Sequence, residues 1–73
     1  MTNVTAIVKL AIIDSEIQMY HNTRYQLQLR HRVQKGIGGT PEQLKALEDE
    51  LAKIESALDE LEKIKREVGT EAE

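Results

Sequence analysis

Leu44, Leu47, Leu51, Ile54, Leu58, Leu61 and Val68 recur at an alternating spacing of three and four residues, with Lys65 in the one polar slot. That is a heptad seam, and it predicts a single amphipathic helix over about 41–68. Ala57 and Ile64 flank the seam and widen it beyond a two-stranded stripe, as in a bundle. The opposite face carries Lys45, Asp49, Lys53, Asp59, Glu60, Lys63, Arg66 and Glu67, which reads as a solvated surface. Asp49–Lys53, Asp59–Lys63 and Glu62–Arg66 stand at i,i+4 with the acid first, a pairing expected to add about 0.2–0.5 kcal/mol each.

The first half of the chain is patterned differently. No Pro or Gly interrupts residues 1–35, so a helix is predicted over about 4–35. Residues 1–3 form a lead-in, with Thr2, Asn3 or Thr5 available as caps. At 100° per residue, Leu10, Ile13, Ile17, Tyr20 and Leu27 share one stripe, joined by Arg24 and His31. Val8, Ile12 and Met19 lie on another side, and Tyr25, Leu29 and Val33 lie close to the back. One neighbouring helix covers one stripe. The surplus stripes predict further neighbours, and Val8, Ile12, Met19, Tyr25, Leu29 and Val33 are the expected partner-binding residues.

Between the halves stands Gly36-Ile37-Gly38-Gly39-Thr40-Pro41. Gly36 is expected as the left-handed residue that ends the first helix. Thr40 is expected to cap the second helix, with Pro41 at its first position and Gln43 completing a Thr-x-x-Gln capping box. A corner of this length makes the helices antiparallel neighbours. Pairing them about 36–40 places Leu44 and Leu47 near Leu27, Leu29 or Val33, Leu61 near Ile13 or Tyr20, and Val68 near Leu10. Gly69 is expected to stop the second helix, leaving 69–73 as an acidic tail. The expected fold is an all-α antiparallel helical hairpin, pairing with a second copy into a four-helix bundle.

Size and charge sharpen this picture. A chain of 73 residues without Cys, Trp or Phe has little core and no disulfides to staple it, which leaves oligomerisation as the remaining support. The absence of cysteine fits a reducing compartment, and the cytoplasm is expected. Residues 1–35 carry five basic and two acidic groups, a net +3; residues 36–73 carry five and eleven, a net −6. Opposite signs suit halves lying side by side. The run NVTAIVKLAII is too short to span a bilayer and contains Lys9, so a buried helix end is expected and no membrane partner.

Candidate chemistry is sparse. His21 and His31 are ten residues apart, too far along one helix to share a metal ion, and Asp14 and Glu16 point apart. No serine or threonine has a base arranged beside it, and the glycine corner lacks the spacing of a phosphate-binding loop. No catalytic residue, cofactor or metal is expected, and the chain is read as a non-enzyme. Arg24, Arg30, Arg32 and Lys35, with His21, His31 and Tyr25, form a basic strip. It offers weak nucleic-acid contact as an alternative role, or it complements Glu42, Glu48, Glu50 and Glu55 of the second helix.

LRHRVQKGIGGTPEQLKALEDELAKIESAL, residues 29–58, resembles the small co-chaperones of the type III secretion needle subunit. The likeness lies in a basic first-helix end, a glycine-bearing corner and a Leu/Glu/Ala-rich stretch. The resemblance implies a helical hairpin that holds an aggregation-prone export substrate alongside a second chaperone. It makes Leu44, Leu47, Leu51 and Leu58 packing positions. The function expected from these readings is a small protein-interaction module, a chaperone-like adaptor or assembly subunit. Its partner is a second copy, another helical protein, or both.

Overall fold

Glycine and a capping box fold this chain once, at its middle. The computed structural model describes residues 2–71, with side chains from residue 5 onward. Helix α1 runs Thr2–Gly36 and helix α2 runs Pro41–Glu71, packed on each other as an all-α antiparallel hairpin. The molecule measures 56 × 15 × 10 Å and has a radius of gyration of 16.6 Å, against about 11 Å for a compact domain of this length. A rod of these proportions has almost no interior.

At the corner, Ile37 N donates to Val33 O at 3.0 Å, and Gly39 N reaches back to Gln34 O at 2.7 Å. The second bond is the six-to-one link of a Schellman ending, whose penultimate residue must be left-handed. That residue is Gly38, with φ of 80°. The expectation of Gly36 in this role is therefore corrected by two positions, and Gly36 is the last residue of α1. Gly39 shows why. A Cβ there would lie 2.6 Å from Gln34 Oε1 and 3.0 Å from the Gln34 carbonyl oxygen. The left-handed turn requires glycine at Gly38, and the close return past Gln34 favours a second glycine at Gly39. The start of α2 follows the sequence: Gln43 N donates to Thr40 Oγ1 at 3.2 Å and Thr40 N to Gln43 Oε1 at 3.0 Å, the reciprocal bonds of a capping box.

Both helices outrun their expected limits. Asn3 and Thr5 lie inside α1 rather than capping it; Met1, of the expected lead-in, lies outside the described residues. Gly69 does not stop α2, which continues to Glu71. A lone glycine costs a helix about 1 kcal/mol but ends it only when the backbone turns left-handed, and Gly69 does not. Of the expected tail, 69–71 are helical and 72–73 lie outside the described residues.

Packing follows a strict heptad on both partners. On α1 the residues turned toward α2 are Ala6, Leu10, Ile13, Ile17, Tyr20, Arg24, Leu27, His31 and Gln34, all buried or half-buried. On α2 the seam from Leu44 to Val68 is buried or half-buried throughout, Lys65 included. Leu27, Ile54 and Leu58 form the centre, with Ile17, Tyr20, Leu47 and Leu51 against it. Three cross-helix ion pairs, Lys9–Glu71, Asp14–Lys65 and Arg24–Glu55, and a His31–Glu48 hydrogen bond set the register. Their residue numbers add to 79 or 80 in every case, so the pairing does not slip along the rod. The expected i,i+4 pairs on α2 are not formed among the described residues. Lys53 instead lies 4.0 Å from Glu50. Solvated pairs of this kind carry too little energy to hold long side chains in place.

Candidate interaction surface

Burial is unequally shared between the helices. Among the described residues the large exposed hydrophobics are Ile7, Val8, Ile12, Met19, Tyr25, Leu29, Val33 and Ile37. Seven are on α1, one is in the corner, and none is on α2. All six expected partner-binding residues are among them, at 43% exposure for Leu29 and 52–62% for the others. Ile7 and Ile37 were not anticipated. Ile7 belongs to no apolar stripe, and Ile37 was absorbed into the reading of the corner as a turn.

The exposed residues that looked like two separate stripes lie on one face. Sorting at 100° per residue assumes a straight helix, which drifts by about 20° per heptad against a seven-residue repeat. The seam against α2 keeps the heptad from Ala6 to Gln34. The same repeat, displaced by two residues, aligns Val8, Ile12, Met19, Leu29 and Val33 along one exposed line of α1 outside that seam. Tyr25 borders that line. Leu29 and Val33 stay outside the buried seam, yet the expected nearness to Leu47 is met, because all three line one groove. It is an open groove of about 470 Å³, lined also by Arg30, Gln43 and Ala46.

The basic strip is partly committed within the chain. Arg24 Nη1 donates to Glu55 Oε1 at 3.1 Å, and its Nη2 donates to His21 Nδ1 at 3.1 Å. His31 Nε2 donates to Glu48 Oε2 at 3.0 Å. Glu48 and Glu55 were two of the four acids expected to complement this strip. Lys65, in the polar slot of the seam, lies 2.7 Å from Asp14. The hydrogen bond to Asp14, and then its charge, raise the Lys65 pKa above the usual lysine value. Such contacts select register and add little affinity of their own, because every partner is substantially exposed.

Among the described residues no three His, Cys, Asp or Glu side chains are grouped to hold a metal ion. No helix among them is long and apolar enough to cross a membrane. The geometry defines an α-helical hairpin with one solvated helix and one helix that is apolar on two opposite sides. Compared with known proteins, the chain matches no family model, no curated protein and no solved structure.

Proposed function

We propose that the protein is a small non-enzymatic interaction module, a chaperone-like adaptor or assembly subunit that works through the outer face of α1. The observation that carries this reading is the confinement of exposed large hydrophobics to α1 and the corner, while α2 exposes none among the described residues. Singly scattered apolar residues are ordinary on a surface, but a row of them confined to one helix, here interspersed with Ser15, Asn22 and Gln26, marks a binding face. Docking a partner helix there removes apolar surface from water at roughly 25 cal/mol per Å², before the cost of ordering both chains. The likeness of residues 29–58 to needle-subunit co-chaperones supports the same class of action, shielding a helical partner. Nucleic-acid contact is less favoured, because Arg24 and His31 already serve Glu55 and Glu48 and the whole chain is acidic.

Two substitutions separate folding from binding. Leu58→Asp places a charge in the buried seam and is expected to unfold the hairpin. Met19→Asp, on the outer face, is expected to keep the helical circular dichroism signal and to abolish capture of partners from the native host. A Met19→Asp protein that unfolds, or one that captures partners as well as wild type, refutes the reading.

A further inference from the structure

We infer that one side of the rod, the groove between α1 and α2, takes an amphipathic helix of another protein whose flanks carry lysine or arginine, completing a three-helix bundle. This rests on the reading of the protein as an interaction module and specifies where its partner lies and what charge it bears.

The two sides of the hairpin differ. Along one side Asp14, Glu55 and Glu48 reach across to Lys65, Arg24 and His31. Each of these acids directly follows a seam residue, Ile13, Ile54 or Leu47, so the three bridges span the same side. The hollows lie along the other. Arg30, Val33, Gln43 and Ala46 line the first, Glu16, Met19 and Thr23 the second, and Thr5, Lys9 and Glu71 the third. On α1 these residues repeat by sevens: Lys9, Glu16, Thr23 and Arg30 form one row, and Thr5, Met19 and Val33 stand two heptads apart in the next. A pair packed in heptad register keeps such rows on one side, so the three hollows are stretches of a single groove. From Lys9 to Arg30 it runs about 32 Å at the helical rise, the length of a helix of six turns.

Both helices offer apolar walls to it. Ile12, Met19 and Val33 of α1 are 56–58% exposed. On α2, Ala57 and Ile64 directly precede the seam residues Leu58 and Lys65, on the groove side, and are only half-buried. A helix laid in the groove removes both walls from water at once, the mode by which amphipathic helices bind grooves. Val8 and Tyr25 lie outside the groove and stay open to the second copy expected from the sequence.

Charge along the rim selects the occupant. Lys9 pairs with Glu71, and Lys53 with Glu50. Glu16, Glu60, Glu67 and Arg30 have no ion-pair partner in the chain among the described residues. Glu60 and Glu67 continue the row of Ala46 by sevens, so they flank the groove opposite Met19 and Ile12. The three free acids thus gather at the stretch most apolar on both walls, and the single free base stands by the corner. A partner with basic flanks meets opposite charge there. A second copy brings the same surplus of acid and meets like charge, which opposes its docking in the groove.

The chain contains no cysteine, so Thr23→Cys carries an environment-sensitive dye in the groove and Gln28→Cys carries it on the bridged side. Two synthetic helical peptides share one apolar heptad, with lysine flanks in one and glutamate flanks in the other. Calorimetry on the unlabelled protein is expected to show the lysine peptide binding about tenfold more tightly, as three exposed ion pairs allow. The dye at Thr23→Cys is expected to shift to the blue on binding while that at Gln28→Cys does not. Glu60→Lys combined with Glu67→Lys is expected to abolish the preference with the circular dichroism signal unchanged. Equal affinity for the two peptides, binding of neither, or a shift at Gln28→Cys overturns the proposal. A shift at Thr23→Cys that grows with protein concentration and needs no peptide places a second copy in the groove and also overturns it. In each of those cases the broader reading stands if Met19→Asp abolishes capture of a host protein, and falls with the proposal if capture is unchanged.

Discussion

Lys65 occupies the one seam position where an aliphatic residue was missing, and the structure shows what it does there. Its stem lies along the seam while its ammonium group bonds Asp14 across the interface. Because the folded-state pKa of Lys65 is raised by that bond, its contribution is complete below the unfolded lysine value of about 10.4 and is lost as pH rises through the folded value. Urea denaturation between neutral and strongly alkaline pH is expected to show wild type losing stability relative to Asp14→Asn, with no such difference arising below pH 9. Arg24 and His31 play a similar part on α1. Polar residues in an apolar stripe are suited to setting register, and each meets a glutamate of α2. Their place in the stripe was readable. Their partners were not, because a glutamate on the edge of one helix is assigned only when the other helix is laid beside it.

The two helices show how differently an element can be specified. On α2 the heptad, the capping box and the solvated face agree, and the observed helix follows the predicted one except at its end. The glycines divide by backbone conformation, not by residue type. Gly38 holds a left-handed turn, so Gly38→Ala is expected to destabilise the hairpin by about 1–2 kcal/mol. Gly69 is helical, and a Cβ there meets nothing within 4 Å. Gly69→Ala is therefore expected to stabilise by about 0.5–1 kcal/mol, read as a rise in melting temperature of a few degrees. A fall in melting temperature for Gly69→Ala contradicts the helical assignment of that turn. On α1 the sequence assigned the stripe of Leu10, Ile13, Ile17, Tyr20 and Leu27 to α2 and left Val8, Ile12, Met19, Tyr25, Leu29 and Val33 outside, and the observed exposure agrees. Which stripe meets α2 and which is left outside follows from the heptad register of the pair, not from the hydrophobicity of either stripe.

At the scale of the molecule the controlling quantity is the ratio of surface to interior. Among the described residues this two-helix rod seals no side chain completely, and a chain of this length is expected to hold only about 4–11 kcal/mol of stability. Covering the outer face of α1 with a second copy, the partner expected from the sequence, would add to this by mass action. The melting temperature is accordingly expected to rise with protein concentration for wild type. For Met19→Asp it is expected to be lower and independent of concentration. Concentration-independent melting of the wild type by calorimetry contradicts self-association as a source of stability.

Local rules determined the helices, the corner and the chemistry of each face, because periodicity, caps and glycines act over a few residues at a time. Only the tertiary structure decided that Gly38 rather than Gly36 turns the chain, that α2 passes through Gly69, and that Val8, Ile12, Met19, Leu29 and Val33 form one line. Each depends on how one helix lies on another. A seven-residue repeat held over the whole of α1 is a property of the packed pair, and a straight isolated helix does not have it.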